Sequence, residues 1–90
     1  MAQVLLVYEI RPETPEITPN VLSENIRKAL PSQFKMQDSI EEKPLFFGLT
    51  GFVAQFIISE SEEGAQDELE NYLSEFEGVS SIQLTYTTRL

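Results

Sequence analysis

The chain has 90 residues, of which 41% are hydrophobic and 23% charged, and this length and composition predict one globular domain spanning residues 1–90. It contains neither cysteine nor histidine, which excludes disulfides, thiolate metal sites and the usual general base near neutral pH. The net charge of −9, with six basic residues, argues against a phosphate-binding surface and suits either simple solubility or a basic protein partner.

The sequence also bears on where the protein works. No apolar run approaches the roughly 18 residues that a membrane-spanning helix needs. The first residues lack the basic region and the small-residue cleavage site of a secretory signal. We therefore expect a cytoplasmic protein that binds neither membranes nor nucleic acid directly.

The first third of the chain predicts a strand, a loop and a helix. Residues Gln3–Ile10 are almost entirely apolar on both faces, which is typical of a central strand. The segment 11–19 carries three prolines and predicts a loop. Thr18 followed by Pro19 is a favourable helix start, and Pro31 ends the helix. The apolar residues recurring at helical spacing are Val21, Leu22, Ile26, Ala29 and Leu30.

The middle of the chain predicts two strands joined by a short connection. Residues 34–42 alternate weakly and are polar, which favours an edge strand. A connection over 44–48 leads to a strand over Thr50–Ser59. The strand over Thr50–Ser59 divides into two faces because side chains alternate. One face carries Phe52, Ala54, Phe56 and Ile58, and the other carries Val53, Gln55 and Ile57.

The last third predicts a helix and a strand. An acidic turn over 61–64 precedes a helix whose apolar stripe is Ala65, Leu69, Tyr72, Leu73 and Phe76. Gly78 is placed to be the C′ residue of this helix, and we expect Glu70 on its solvent face with Glu68 and Glu75. Residues 79–87 predict the final strand, with Ile82, Leu84 and Tyr86 as its packing residues.

The order of elements, β-α-β-β-α-β, predicts an α+β fold of the ferredoxin-like type. Right-handed crossovers give a four-stranded antiparallel sheet in the order 4-1-3-2 with both helices on one face. The connection between the second and third strands then lies at one end of the sheet and the C-terminus at the other. At ~3.3 Å per residue, these two ends are roughly 30 Å apart.

Several functions that share this fold are disfavoured by the residues. A heavy-metal chaperone needs a cysteine pair, which is absent. Residues 50–56 echo the aromatic signature of an RNA-recognition motif, but Thr50 stands at its basic position, and Phe52 and Phe56 share the parity of core residues. The acidic residues Glu41, Glu42, Glu60, Glu62 and Glu63 lack the ligand spacing of a calcium loop. We predict no catalytic residue, no cofactor and no metal site.

The connection itself is unusual, because residues 44–49 read Pro-Leu-Phe-Phe-Gly-Leu. Turns favour Gly, Pro, Asn, Asp and Ser for backbone reasons, and phenylalanine meets none of them. Neighbouring residues in an extended segment point to opposite faces, so Phe46 and Phe47 are not expected to be buried together. An exposed aromatic side chain in a loop is typical of a contact surface.

These features together resemble translation elongation factor 1-beta, the guanine nucleotide exchange factor of elongation factor 1-alpha. The similarity covers the whole chain, from the loop over 12–16 through Pro44 and Phe47-Gly48-Leu49 to Phe76-Glu77-Gly78-Val79 and the terminal Arg89-Leu90. The acidic-Pro-x-x-Phe-Gly-aliphatic block and the basic-aliphatic terminus make the signal fairly specific.

The resemblance implies how the chain would engage its partner. The family's loop phenylalanine, which corresponds to Phe47, contacts the second domain of elongation factor 1-alpha. The family's basic residue beside the C-terminus, which corresponds to Arg89, reaches the magnesium and phosphate region of the nucleotide domain. We therefore predict a partner-binding site made of Phe47 and Arg89 with their neighbours Phe46, Gly48 and Leu90.

Two departures from the eukaryotic pattern are visible. Eukaryotic members carry lysine where this chain has Arg89, and the guanidinium is larger and fork-shaped. They also carry a Lys-Lys pair where Thr50-Gly51 stands here. The alternative interpretation is a small-molecule-sensing or oligomerising module on the same fold, which would leave the rate of GDP release from the GTPase unchanged.

Overall fold

The sheet and helices follow from the alternation and spacing of apolar residues. The computed structural model describes residues 2–61 and 63–90, with the backbone alone at Phe47. The strands and helices are β1 (Gln3–Pro12), α1 (Pro19–Ala29), β2 (Lys35–Met36), β3 (Glu41–Pro44), β4 (Thr50–Ser59), α2 (Ala65–Ser74) and β5 (Val79–Arg89), with a 3-10 turn over Phe46–Gly48.

The strands form an antiparallel sheet with β1 and β4 at its centre. β1 pairs with β4 and β5, while β2 and β3 both pair with the outer side of β4. The α+β fold and the predicted order are confirmed, except that the predicted second strand is two short strands. Arg27 of α1 explains the interruption, because its guanidinium donates to the carbonyl oxygens of Gln37 and Asp38 at 2.9 and 3.1 Å.

Both helices cover one face of the sheet and enclose the core. The predicted inward residues of β4, from Phe52 to Ile58, are at most 6% exposed. They pack with the even-numbered residues of β1 and with the helix residues Leu22, Ile26, Leu69 and Leu73. The opposite face of the sheet, which we call the open face, carries the odd-numbered residues of β1 and β4, and none of the described helices covers it.

The first helix begins as predicted. The Thr18 hydroxyl accepts from the N–H of Val21 at 3.3 Å, and Pro19 is the first helical residue. The prediction that Val21 packs in the apolar stripe is wrong, since its side chain is 58% exposed. The helix ends at Ala29 with Leu30 as its C-cap, just before the Pro31 that was predicted to end it.

The second helix ends earlier than predicted. It is capped by Glu75, so Gly78 is not its C′ residue. Gly78 has φ +97° and forms the turn into β5, where its carbonyl oxygen accepts from the N–H of Glu13 at 2.9 Å. This turn therefore fixes the start of β5 against the end of β1.

Glu70 is partly buried and bonds to a core residue, so it does not lie on the fully solvated face predicted for it. Its carboxylate accepts from the Tyr8 hydroxyl at 2.8 Å and from the Gln66 amide at 3.2 Å. Burial, followed by the hydrogen bond to Glu70, raises the pKa of Tyr8 far above its usual value. The Tyr8–Glu70 bond therefore ties α2 to the centre of the sheet.

A β-bulge at Thr85 changes which residues of β5 face the core. Tyr8 pairs with Leu84 but Val7 pairs with Tyr86, so Thr85 is the extra residue, and its hydroxyl donates to the Val7 carbonyl at 3.2 Å. The bulge reverses the facing of every later residue. Tyr86 consequently lies on the open face, 57% exposed, and the prediction that it packs in the core is wrong.

Candidate functional site

The loop that carries the two phenylalanines is closed by its own backbone. The N–H of Leu45 donates to the carbonyl of Leu49 at 2.8 Å, and the N–H of Leu49 donates to the carbonyl of Phe46 at 3.2 Å. Gly48 has φ +77°, a conformation that glycine adopts without steric cost. These features make a tight loop whose tip is residues 46–48.

The loop presents aromatic surface to solvent. The Phe46 side chain is 82% exposed, so the prediction that the two phenylalanines are not buried together is confirmed. The side chain of Phe47 lies outside the described part of the structure, and its predicted contact role remains a prediction. A side chain as large as Phe46 on the surface exposes apolar area that a partner can cover.

Gly51 anchors the loop to the sheet. A Cβ at this position would lie 2.9 Å from the carbonyl oxygen of Ile10 and 3.0 Å from Cδ1 of Leu45, closer than side chains pack. The absence of a side chain at Gly51, which is buried, thus lets Leu45 lie over the strand. Because Leu45 is held there, the first residue of the loop is fixed relative to β4.

The second candidate position lies at the other end of the sheet. Arg89 is the last residue of β5, where it pairs with Val4, and the N–H of Leu90 donates to the carbonyl of Gln3 at 2.8 Å. The C-terminal residues are therefore held in the sheet and are not frayed. Leu90 is 60% exposed and the Arg89 side chain is 73% exposed, so both predicted residues at this end are accessible.

Arg89 has an acidic partner that the sequence did not indicate. Its Nη2 lies 2.6 Å from Oε1 of Glu60, and the two side chains are 73% and 33% exposed. The N–H of Glu60 donates to the carbonyl of Ala2 at 3.0 Å, which fixes the position of that residue. In the sequence Glu60 belonged to an acidic cluster with Glu62, which lies outside the described residues, and Glu63. The pair with Arg89 depends on strand pairing, for which the sequence has no local signal.

The bulge at Thr85 also decides the facing of Arg89. Residues directly opposite in an antiparallel pair project to the same side, and Val4 shares the parity of the inward residues of β1. Arg89 therefore projects at the edge of the helix-covered side, next to the turn that follows β4. Without the extra residue it would project from the open face.

The two candidate positions lie at opposite ends of the molecule, as predicted. β4 has ten residues and runs from the aromatic loop to the turn containing Glu60, a length of about 30 Å at ~3.3 Å per residue. The molecule measures 42 Å along its longest axis and about half that across. The paired strands β1, β4 and β5 connect the ends, so the separation is set by hydrogen-bonded sheet.

The structure also bears on the RNA-binding alternative. Phe52 and Phe56, which gave the resemblance to an RNA-recognition signature, are fully buried under the helices. They are therefore not available to stack on bases. Neither α1 nor α2 is long and apolar enough to cross a membrane, within the part of the chain that the structure describes.

Comparison with known proteins identifies the family. The family described as the EF-1 guanine nucleotide exchange domain matches residues 5–90. The chain is 36% identical to the elongation factor 1-beta of Desulfurococcus amylolyticus, covering 100% of this chain and 99% of that protein. It is 36% identical to the elongation factor 1-beta of Sulfolobus acidocaldarius (97% and 96%) and 34% identical to that of Methanoculleus marisnigri (98% of each). The chain belongs to the EF-1 guanine nucleotide exchange domain family.

Proposed function

We propose that this chain promotes the release of GDP from the translation GTPase elongation factor 1-alpha, as a cytoplasmic exchange factor. The observation that carries the proposal is the placement of two exposed features, the loop at 46–48 and Arg89, at opposite ends of one sheet. Family membership supports the class of activity. In this proposal residues 1–90 form one exchange domain.

The loop supplies attachment. The Phe46–Gly48 tip is held by its own hydrogen bonds and by Leu45, so little conformational freedom is lost when a partner covers it. Aromatic side chains at the centre of an interface often contribute ~2 kcal/mol or more to binding. In our proposal Phe47 is this anchor on the second domain of the GTPase, with Phe46 and Gly48 beside it.

Arg89 supplies the effect on the nucleotide. GDP and its Mg²⁺ are held on the GTPase by charge and by backbone donors. A guanidinium placed close to the metal and phosphates opposes the cation and competes for the anionic oxygens, so GDP leaves faster. The factor stabilises the nucleotide-free GTPase and makes no covalent bond, which is how a binding protein accelerates exchange.

The ion pair with Glu60 sets the starting state of Arg89. An exposed pair of this kind contributes about 0–1 kcal/mol, so exchanging the Glu60 carboxylate for an anionic site on the partner costs little. Since the backbone of residue 89 is fixed in β5, the side chain alone has to move. The residue is thus held in place without being strongly restrained.

The test is the release of fluorescent mant-GDP from purified elongation factor 1-alpha after addition of unlabelled GDP, with and without this chain. We expect release to accelerate with factor concentration and to saturate. A chain that leaves the rate unchanged at concentrations where binding is complete would refute the exchange function. That result would favour the sensing or oligomerising alternative.

A further inference from the structure

A groove beside the aromatic loop has no role in the two-ended contact proposed above. Its volume is about 300 Å³, and it is lined by Arg11, Pro12, Leu45, Phe46, Leu49, Ser80 and Ser81. Most of this lining is apolar. Among the described lining residues, Arg11 carries the charge, and that charge is positive on a chain whose net charge is −9.

Arg11 is positioned by the sheet. It is next to the Ile10–Phe52 pair and directly opposite Ser81 on β5, so its side chain lies on the open face at the loop end. Lys43 on β3 pairs with Gly51, which places a second cation on the same face, about two strand spacings or roughly 10 Å away. The two cations therefore share the row of the open face nearest the loop, and the next row carries Glu9 and Glu41, which both pair with Val53.

The contacts of Arg11 leave its donors available. Its Nη2 lies 3.8 Å from Oε1 of Glu9, which is longer than a hydrogen bond. The Arg11 side chain is 46% exposed, whereas that of Glu9 is 14% exposed. The guanidinium presents a planar fork of donors that matches a carboxylate, and Ser80 and Ser81 line the same groove.

We infer that this groove binds a segment of the partner GTPase in which an apolar side chain is followed or preceded by an aspartate or glutamate. The apolar side chain would pack on Leu45, Phe46 and Leu49, and the carboxylate would pair with Arg11. The inference rests on the proposed function, since it names a further contact of the same interface. The groove adjoins the Phe46 side chain, so both contacts lie on one continuous surface.

Adding negative charge at position 11 tests this inference, because the two explanations predict opposite effects on binding. If the negative charge of the chain only steers it toward a basic partner, any added negative charge should speed association or leave it unchanged. If Arg11 pairs with a partner carboxylate, a glutamate at position 11 should weaken the complex. Lys28 is the matched control, because it is an exposed cation on α1, on the helix-covered side, and Lys28→Glu changes the net charge by the same amount.

The experiment measures the Kd of the complex with nucleotide-free elongation factor 1-alpha by titration calorimetry, and separately the saturating rate of mant-GDP release. We expect Arg11→Gln and Arg11→Glu each to raise the Kd about 10-fold or more, which is the cost of a lost charge-assisted hydrogen bond. Lys28→Glu should stay within about twofold of the parent. Lys28→Glu should also keep the saturating release rate of the parent.

Arg11→Gln separates a binding defect from a folding defect better than Arg11→Glu does, since it removes the cation without adding a second carboxylate beside Glu9. If Arg11→Gln melts like the parent and binds like the parent, the groove inference is overturned while the exchange function stands. If the parent binds without accelerating release, the exchange function fails and the Arg11 variants still decide the groove. Loss of a dimer of this chain in the Arg11→Gln variant during sedimentation would assign the groove to a second copy and overturn the inference.

Discussion

Replacing Arg89 with alanine should slow nucleotide exchange severely while leaving the fold almost intact. What the folded chain loses is one ion pair between side chains that are 73% and 33% exposed. Solvent screening limits such a pair to about 0–1 kcal/mol. For a domain of this size, that corresponds to a fall in Tm of at most about 4–8 °C.

The expected effect on exchange is much larger. In the proposed mechanism Arg89 donates to an anionic site beside the nucleotide, and a hydrogen bond to a charged group contributes about 1.5–3 kcal/mol. Its loss corresponds to release that is about 10- to 150-fold slower at saturating factor. Arg89 is the sole basic residue after Lys43 in the sequence, so the second half of the chain offers no replacement for its charge.

The assay is mant-GDP release from elongation factor 1-alpha with the variant in saturating excess. Arg89→Lys should retain much of the activity if charge matters more than the guanidinium fork. Lys28→Ala is the matched control, since it removes one exposed cation from α1 and should stay within about twofold of the parent. Tm measured by circular dichroism for each variant separates a folding defect from a lost contact.

Deleting both Arg89 and Leu90 extends the test. This truncation also removes the hydrogen bond from Leu90 to Gln3, a further loss of about 1 kcal/mol. Binding should fall less than activity because the aromatic loop remains attached at the far end of the sheet. Release at the parental rate by Arg89→Ala or by the truncated chain would show that the C-terminus plays no part in exchange, and would refute the two-ended mechanism.

Three further outcomes are expected. Phe47→Ala should weaken the complex by about 2 kcal/mol or more, and a large fall in its Tm would instead show that Phe47 is a core residue. Phe46→Ala should leave Tm within a few degrees of the parent, because the Phe46 side chain is 82% exposed. Association should slow as salt rises, measured by stopped flow, because screening weakens the steering of an acidic factor; a salt-independent rate would contradict this. Stability should decline above pH 10, because the tyrosines of the unfolded chain ionise there while Tyr8 in the folded chain, whose pKa is raised, stays protonated; Tyr8→Phe should flatten that decline in thermal melts, and an unchanged slope would count against it.

Much of the fold was predictable because its signals are local. The alternation in β4 gave both its bounds and its buried face, and the Thr18-Pro19 pair gave the start of α1. The loop at 46–48 was visible because phenylalanine has no backbone reason to occupy a turn. The positions of this loop and Arg89 at opposite ends followed from the strand order alone.

Only the tertiary structure decided the features that depend on which residues of neighbouring strands pair with each other. The bulge at Thr85 moved Tyr86 to the open face and set the facing of Arg89, and nothing in the spacing of residues 79–90 encodes an extra residue, because a bulge is defined by its partner strand. Glu60 meets Arg89, and Arg11 meets the loop groove, only once β1, β4 and β5 are in register. The sequence determined most of the inward, exposed and turn-forming residues, since these depend largely on neighbours along the chain; Val21, Glu70 and Tyr86 are exceptions. Strand register, a property of residues far apart in the chain, determined which of them face one another.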